Sequence, residues 1–158
     1  MHKFFRLSVY KDRLLGGLAK HLRPYLARTP LIWGDAGRLK IGRNVQLVDA
    51  IINLRSGTVT IDDDAFLGHG VMLLTGKHPM RKSRQGRHRN IPTEGRDIII
   101  RYGAWVASGA IVVGPCDIGE NAVIGAGSVV TGNIPAGALY AGNPGQLIRI
   151  LDIEDEAQ

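Results

Sequence analysis

The 158-residue sequence holds one cysteine, Cys116, and few aromatic residues, 6% in all. A lone cysteine cannot close an internal disulfide, so packing has to hold the fold and a reducing compartment is the expectation. Scarce rings leave Ile, Val, Leu and Ala to build the core. No apolar run approaches the length of a membrane span, and the N-terminal stretch MHKFFRLSVYKDRLL has basic residues but no uninterrupted apolar region of signal-peptide length. These absences predict a soluble, cytoplasmic protein, and its length predicts one main domain.

Acidic residues are nearly missing from two segments. Residues 1–40 carry nine Lys/Arg against two acids, residues 77–101 carry eight against two, and the remainder carries three against ten. The net charge of +6 is therefore local to two regions. Basic patches of this kind suit a phosphate-bearing cofactor or an anionic membrane surface, and with an acidic remainder they do not predict nucleic-acid binding.

Glycine is abundant, with 21 residues, which leans away from a helical bundle. From Ile100 the chain divides into sixes: IRYGAW, VASGAI, VVGPCD, IGENAV, IGAGSV and VTGNIP. Every block opens on an aliphatic residue (Ile100, Val106, Val112, Ile118, Ile124, Val130). The fifth position is small (Ala104, Ala110, Cys116, Ala122, Ser128) until the last block, where it is Ile134. Residues 41–46 (IGRNVQ), 61–66 (IDDDAF) and 67–72 (LGHGVM) share the frame.

A period of six fits neither the 3.6 of a helix nor the alternation of a plain strand. It fits a solenoid of short strands joined by repeating corners. First positions are expected to point inward and stack coil on coil, and small fifth positions to let the corner backbone turn closely. The frame breaks at residues 74–90, LTGKHPMRKSRQGRHRN, where a histidine stands against a proline and runs into a basic loop.

The ends differ from the middle. Leu14, Leu15, Leu18, Leu22 and Leu26 recur mainly at three and four, which predicts a helix across residues 4–26 that stops near Pro24 to Pro30. Two readings of it stand: a cap on the open end of the solenoid, or a basic helix in peripheral contact with the inner face of a membrane. The acidic tail at 151–158 is expected to fray. The organisation is thus a cap at 1–36, a repeat domain at 37–150 with a loop at 77–97, and the tail.

Among candidate chemical groups His78 leads. Pro79 disfavours a helical conformation at His78, and an imidazole held at the exit of a coil suits a general base because it titrates near neutral pH. His69, between Gly68 and Gly70, reads as a corner residue, and His88 as a solvated or acceptor-contacting residue of the loop. Glu94 is a candidate to hydrogen-bond and orient His78. Cys116 fills a small packing position. Asp62, Asp63 and Asp64 form a solvated corner or contact a sugar hydroxyl or amine.

The hexads, together with TGKHP and with GAGSVVTGNIPAGALYAGNP beginning at Gly125, resemble the hexapeptide-repeat acyltransferases. The likeness is closest to their sugar O-acetyltransferase branch, of the galactoside/maltose and polysaccharide-biosynthesis type, and covers roughly residues 37–150. It implies an all-β fold, a left-handed parallel β-helix of three sheets, a handedness opposite to the usual crossover. It also implies a homotrimer with active sites between subunits, and acetyl-CoA as cosubstrate with no metal.

His78 matches the family's catalytic histidine. It would take a proton from an acceptor hydroxyl as that oxygen attacks the thioester, without a covalent acyl-enzyme. An N–H near Ser108 or Gly109 is the candidate oxyanion donor. Trp105 stands where the family often has an aromatic against the pantetheine arm. Ser108, Gly109, Ala126, Gly127 and Ser128 would line the cofactor's path, with Thr131, Asn143 and Arg149 towards its nucleotide end. Lys77, Arg81, Arg87 and His88 would face the acceptor. Gly132 and Gln146 stand where the family commonly has phosphate-binding cations, so other basic residues have to replace them or the cofactor binds less tightly.

The expected reaction is acetyl transfer to a hydroxyl of a sugar, or of a nucleotide- or lipid-linked sugar, in making cell-envelope or exported polysaccharide. N-acetylation of an amino sugar is the alternative. A zinc-dependent protein like the γ-class carbonic anhydrases, which share the β-helix, is the more distant one, because the spacings from His69 to His78 to His88 do not match its ligand pair.

Overall fold

A computed structural model of the chain describes residues 17–18 and 29–154. The helix expected over residues 4–26, with its capping or membrane role, lies outside the described residues except at Gly17 and Leu18, which are helical. The second half of the acidic tail, residues 155–158, also lies outside them.

The described strands form three parallel stacks. The first holds β1 (Leu31–Trp33), β3 (Ile51–Asn53), β6 (Met72–Leu74) and the leading parts of β9 (Ile111–Ile118) and β11 (Val129–Ile134). The second holds β2 (Leu39–Ile41), β4 (Val59–Ile61), β7 (Ile98–Ile100) and the trailing parts of β9 and β11. The third holds β5 (Phe66–Leu67), β8 (Trp105–Val106), β10 (Val123–Ile124) and β12 (Ala138–Gly142). The chain visits the faces in the same order on each coil, which makes a three-sided prism. Its far end is closed by β13 (Gly145–Ile150), which pairs antiparallel with β12.

The six-residue frame is the packing frame. Ile100, Val106, Val112, Ile118, Ile124 and Val130 are all buried. They stack in columns: Ile61 on Ile100 on Ile118, Leu67 on Val106 on Ile124, and Leu73 on Val112 on Val130. Fully burying each such side chain is worth about 1.5–3 kcal/mol, and the columns supply the core that ring side chains do not. The small fifth positions are buried as well. At some corners coils approach so closely that only hydrogen fits, as at Gly68, where an added Cβ would meet the Ser108 amide nitrogen at 2.5 Å.

Ile134, the one large fifth-position residue, marks a change of frame. Val130 pairs with Val112, but Gly132 then pairs with Cys116, so four steps along β9 answer two along β11. The last coil omits two corner residues, and Ile134 falls opposite Ile118, an inward first position. The shortened corner runs through Gly132 at φ +78, in the left-handed region where a lysine would be strained.

The basic segment leaves the prism between the first and second faces. One coil crosses this corner from Asn53 to Val59, whereas the next runs from Leu74 to Ile98. The excursion contains a short helix, α1 (Gln85–His88), and is tied down by arginines: the Arg38 guanidinium donates to the Thr93 carbonyl, and Arg96 Nε to the Thr75 carbonyl at 2.9 Å.

Candidate active site

The loop starts from a fixed point. Buried Thr75 donates its hydroxyl to the Asn53 carbonyl at 2.7 Å and accepts from the Ser56 amide at 3.1 Å, pinning the end of β6 to the coil before it. Three residues on, exposed His78 is met by the returning α1, whose Arg87 carbonyl oxygen lies 2.6 Å from His78 Nδ1. A carbonyl only accepts, so Nδ1 carries the hydrogen and Nε2 of the neutral ring keeps its lone pair. The His88 ring stands edge-on, with centroids 6.0 Å apart. Beside them is a depression of about 280 Å³ lined by Trp33, Gly34, Asn53, Arg55, His78 and Ile91.

Glu94, the expected orienting carboxylate, is exposed on the same loop, and the group on Nδ1 is the Arg87 carbonyl. Lys77, Arg81 and His88 are exposed on the loop, as is Arg87, whose Nε is spent on the Lys82 carbonyl at 2.7 Å. Trp33, Asn53 and Arg55 were missed by the sequence reading. Their signal was one coil back from TGKHP: Asn53 pairs with Leu74, so the residues around it lie beneath the start of the loop.

A second group of candidates gathers at the corner between the third and first faces. There the coils are joined by hydrogen bonds from glycine amides: Gly70 N–H to the Asp49 carboxylate (Oδ1) at 2.7 Å, Gly109 N–H to the His69 carbonyl at 2.8 Å, and Gly127 N–H to the Ser108 carbonyl at 3.0 Å. The ladder ends with the Gly142 N–H donated to Ser128 Oγ at 3.0 Å. Ser128 is buried and braces the corner, whereas Ser108, Gly109, Ala126, Gly127 and Asn143 are exposed along it.

The Gly109 N–H is committed to His69, so of the two expected oxyanion donors only the Ser108 N–H has no hydrogen bond among the described residues. Ser108 Oγ accepts from the His69 amide at 3.1 Å. Trp105, 42% exposed on the third face, stacks on Phe66 with centroids 5.7 Å apart. Thr131 sits instead at the His78 corner, donating to the Pro115 carbonyl at 3.3 Å. Arg149 and Gln146 are exposed on β13.

The candidates thus divide between two edges of the prism. His78, the loop and Thr131 occupy one, and Ser108, Gly109, residues 126–128 and Asn143 another. None of the second group lines the depression at His78.

The remaining candidates have structural partners. His69 Nδ1 lies 3.5 Å from Asp49, whose carboxyl is held below its ordinary range chiefly by the Gly70 N–H. Asp63 accepts from the Arg43 amide and guanidinium, which lower its pKa, and Asp64 accepts from Asn44 at 2.9 Å, so two carboxylates of the acidic run brace the first coils. The Cys116 thiol is buried and pushed up to about 12, by desolvation first and then by the Asp117 charge. Among the described residues no group of three or more His, Cys, Asp and Glu side chains is placed to hold a metal ion, and no helix is long and apolar enough to cross a membrane.

No family model matches the chain. Individual proteins do. It is 30% identical over 129 residues to galactoside O-acetyltransferase of Escherichia coli strain K12, covering 80% of this chain and 61% of that protein. With galactoside O-acetyltransferase of Lactococcus lactis the identity is 31% over 120 residues, covering 72% and 56%. Among solved structures, a galactoside acetyltransferase in complex with coenzyme A superposes with a TM-score of 0.70 at 30% identity, covering 79% of this chain and 61% of that one. A maltose O-acetyltransferase from Clostridium difficile 630 gives 0.62 at 30%, covering 77% and 64%. The chain spans a little over half the length of these relatives.

In sequence and fold the chain is similar to one class of proteins, the hexapeptide-repeat acyltransferases, and its fold is their left-handed parallel β-helix. Within that class the chain is related to the galactoside and maltose O-acetyltransferases.

Proposed function

We propose that the chain transfers the acetyl group of acetyl-CoA to a hydroxyl of a sugar, or of a nucleotide- or lipid-linked sugar, with His78 as general base. The observation that carries this reading is the 2.6 Å contact between His78 Nδ1 and the Arg87 carbonyl, which leaves Nε2 as the proton acceptor on an exposed ring. As the acceptor oxygen attacks the thioester carbonyl, Nε2 takes its proton. The tetrahedral oxyanion is met by the Ser108 N–H. When the C–S bond breaks, the leaving thiolate recovers the proton from His78, so ester and free thiol form without an acyl-enzyme.

The second edge fits a long, thin cosubstrate. At Gly127 an added Cβ would meet nothing within 4 Å, and Ala126 and Gly127 present backbone to solvent. Trp105 offers a ring against the arm, Asn143 and Arg149 are the candidates for its nucleotide end, and Thr131, on the His78 edge, would reach it only from a neighbouring copy. Because His78 and Ser108 lie on different edges, one chain does not close a site by itself. A ring of three copies, each setting its His78 edge against the next copy's Ser108 edge, supplies three. Use of acetyl-CoA would place the reaction in the cytoplasm, and modification of cell-envelope or exported polysaccharide is the role that suits such acceptors.

The test is release of free thiol from acetyl-CoA across a panel of sugars, nucleotide sugars and amines, with acetyl placement read by mass spectrometry. Wild type should form an O-acetyl ester and His78→Ala should not, while still binding CoA. Acetyl found only on nitrogen overturns the O-transfer assignment, and transfer that survives His78→Ala overturns the base. Stoichiometric zinc lost with His78 points instead to the zinc-dependent, carbonic anhydrase-like reading.

A further inference from the structure

The geometry points to a subsite for a negatively charged group of the acceptor beside His78, with Arg55 as the residue that reads the charge and Trp33 as the ring beneath the sugar. This inference rests on the reading of His78 as the base of the transfer.

Among the described residues Arg55 is the arginine that lines the depression; Arg81, Arg84 and Arg89 of the loop, whose side chains are without a hydrogen bond or ion pair, do not line it. Arg38, Arg87 and Arg96 spend side-chain N–H groups on the carbonyls of Thr93, Lys82 and Thr75. Arg43 and Arg101 are paired with Asp63 and Asp117. The Arg55 backbone is held by its N–H to Asn53 Oδ1 at 2.9 Å, but its guanidinium makes no hydrogen bond or ion pair among the described residues, and it lines the same depression as His78. A planar guanidinium in that state matches a carboxylate or phosphate bidentately.

The surroundings favour the same ligand. No carboxylate lines the depression. On the adjoining loop the acids are Glu94 and Asp97, and Asp97 Oδ1 already accepts from the Thr58 amide at 2.7 Å. Lys77 and Arg81 add exposed positive charge. Trp33, 60% exposed on the wall of the depression, presents a large apolar face of the kind that packs on the C–H face of a sugar ring. The acceptor so described is an acidic or phosphorylated sugar.

The experiment compares methyl galactoside, methyl galacturonide and galactose 1-phosphate as acceptors for the full chain. The charged sugars should be preferred in kcat/KM by about ten- to a hundredfold, the range of a charge-assisted hydrogen bond. Arg55→Gln should erase that preference by raising the KM of the charged sugars, leaving the KM of acetyl-CoA in place, and Arg55→Lys should restore part of it. An unchanged preference in Arg55→Gln overturns the proposal, and so does a rise in the KM of acetyl-CoA alone, which would assign Arg55 to a cosubstrate phosphate.

Binding separates this outcome from failure of the acetyl-transfer reading. With Trp105→Phe, Trp33 is the remaining tryptophan of the two in the chain, and its emission can be titrated with each sugar without acetyl-CoA. Methyl galacturonide should bind more tightly than methyl galactoside only while Arg55 is present. Equal affinities refute the subsite whether or not any transfer is observed.

Discussion

His78 is oriented by a backbone group: its Nδ1 meets the carbonyl oxygen of Arg87 at 2.6 Å. Because the partner is main chain, the side chain of residue 87 is not what sets the tautomer. Arg87→Ala should keep kcat within several-fold of wild type. Replacing residues 85–88 with a flexible glycine linker should lower kcat by about a hundredfold at similar KM, the scale of a misplaced catalytic group. Glu94→Gln should change kcat little; a loss as large as that of the linker would return the orienting role to the carboxylate.

The two edges that carry the candidate residues give a prediction about assembly. His78→Ala and Trp105→Ala, each inactive alone, should complement when unfolded together and reassembled. Random mixing into trimers leaves about a quarter of the interfaces with both residues intact. Recovery of that fraction of activity supports shared sites, and complete silence of the mixture shows that each site lies within one chain.

Ile134 lies opposite Ile118 and is 3% exposed. Ile134→Ala removes a core column member, with an expected loss of about 2–4 kcal/mol in denaturant unfolding. Ser56 makes the opposite case: its hydroxyl is fully buried and has no hydrogen-bond partner among the described residues. Ser56→Ala should be neutral or stabilising by up to about 1 kcal/mol, since no bond is lost with the hydroxyl.

Cys116 predicts a pH dependence. Its thiol is raised from 9.0 to about 12 in the fold. Below pH 9 both folded and unfolded thiols are protonated. Between about 9 and 12 only the unfolded chain releases the proton, so stability falls as pH rises through that window. Cys116→Ala should lack that part of the alkaline slope, and the native thiol should resist iodoacetamide at pH 8.5. Rapid alkylation of the folded protein would contradict its burial.

Much of the fold was legible because a solenoid is close to one-dimensional. Residues six apart in sequence fall on successive faces, so Ile100, Val106 and Val112 announced their burial through period alone. TGKHP likewise marked the corner where the chain leaves the prism. Ile134 shows the limit, since a two-residue deletion in one corner shifts the frame without any local signal except Gly132.

The sequence by itself determined the repeat, the inward columns, the excursion and the candidate base, because each is a matter of residue type at short, regular spacing. Only the tertiary structure decided that the Arg87 carbonyl holds His78, that the Gly109 N–H is already taken, and that the site residues divide between two edges. It also brought Trp33 and Arg55 beside His78. Those relationships depend on coils that are adjacent in space but some twenty residues apart in sequence, as in the pairing of Asn53 with Leu74, and on a loop that turns back upon itself, and no local pattern encodes either.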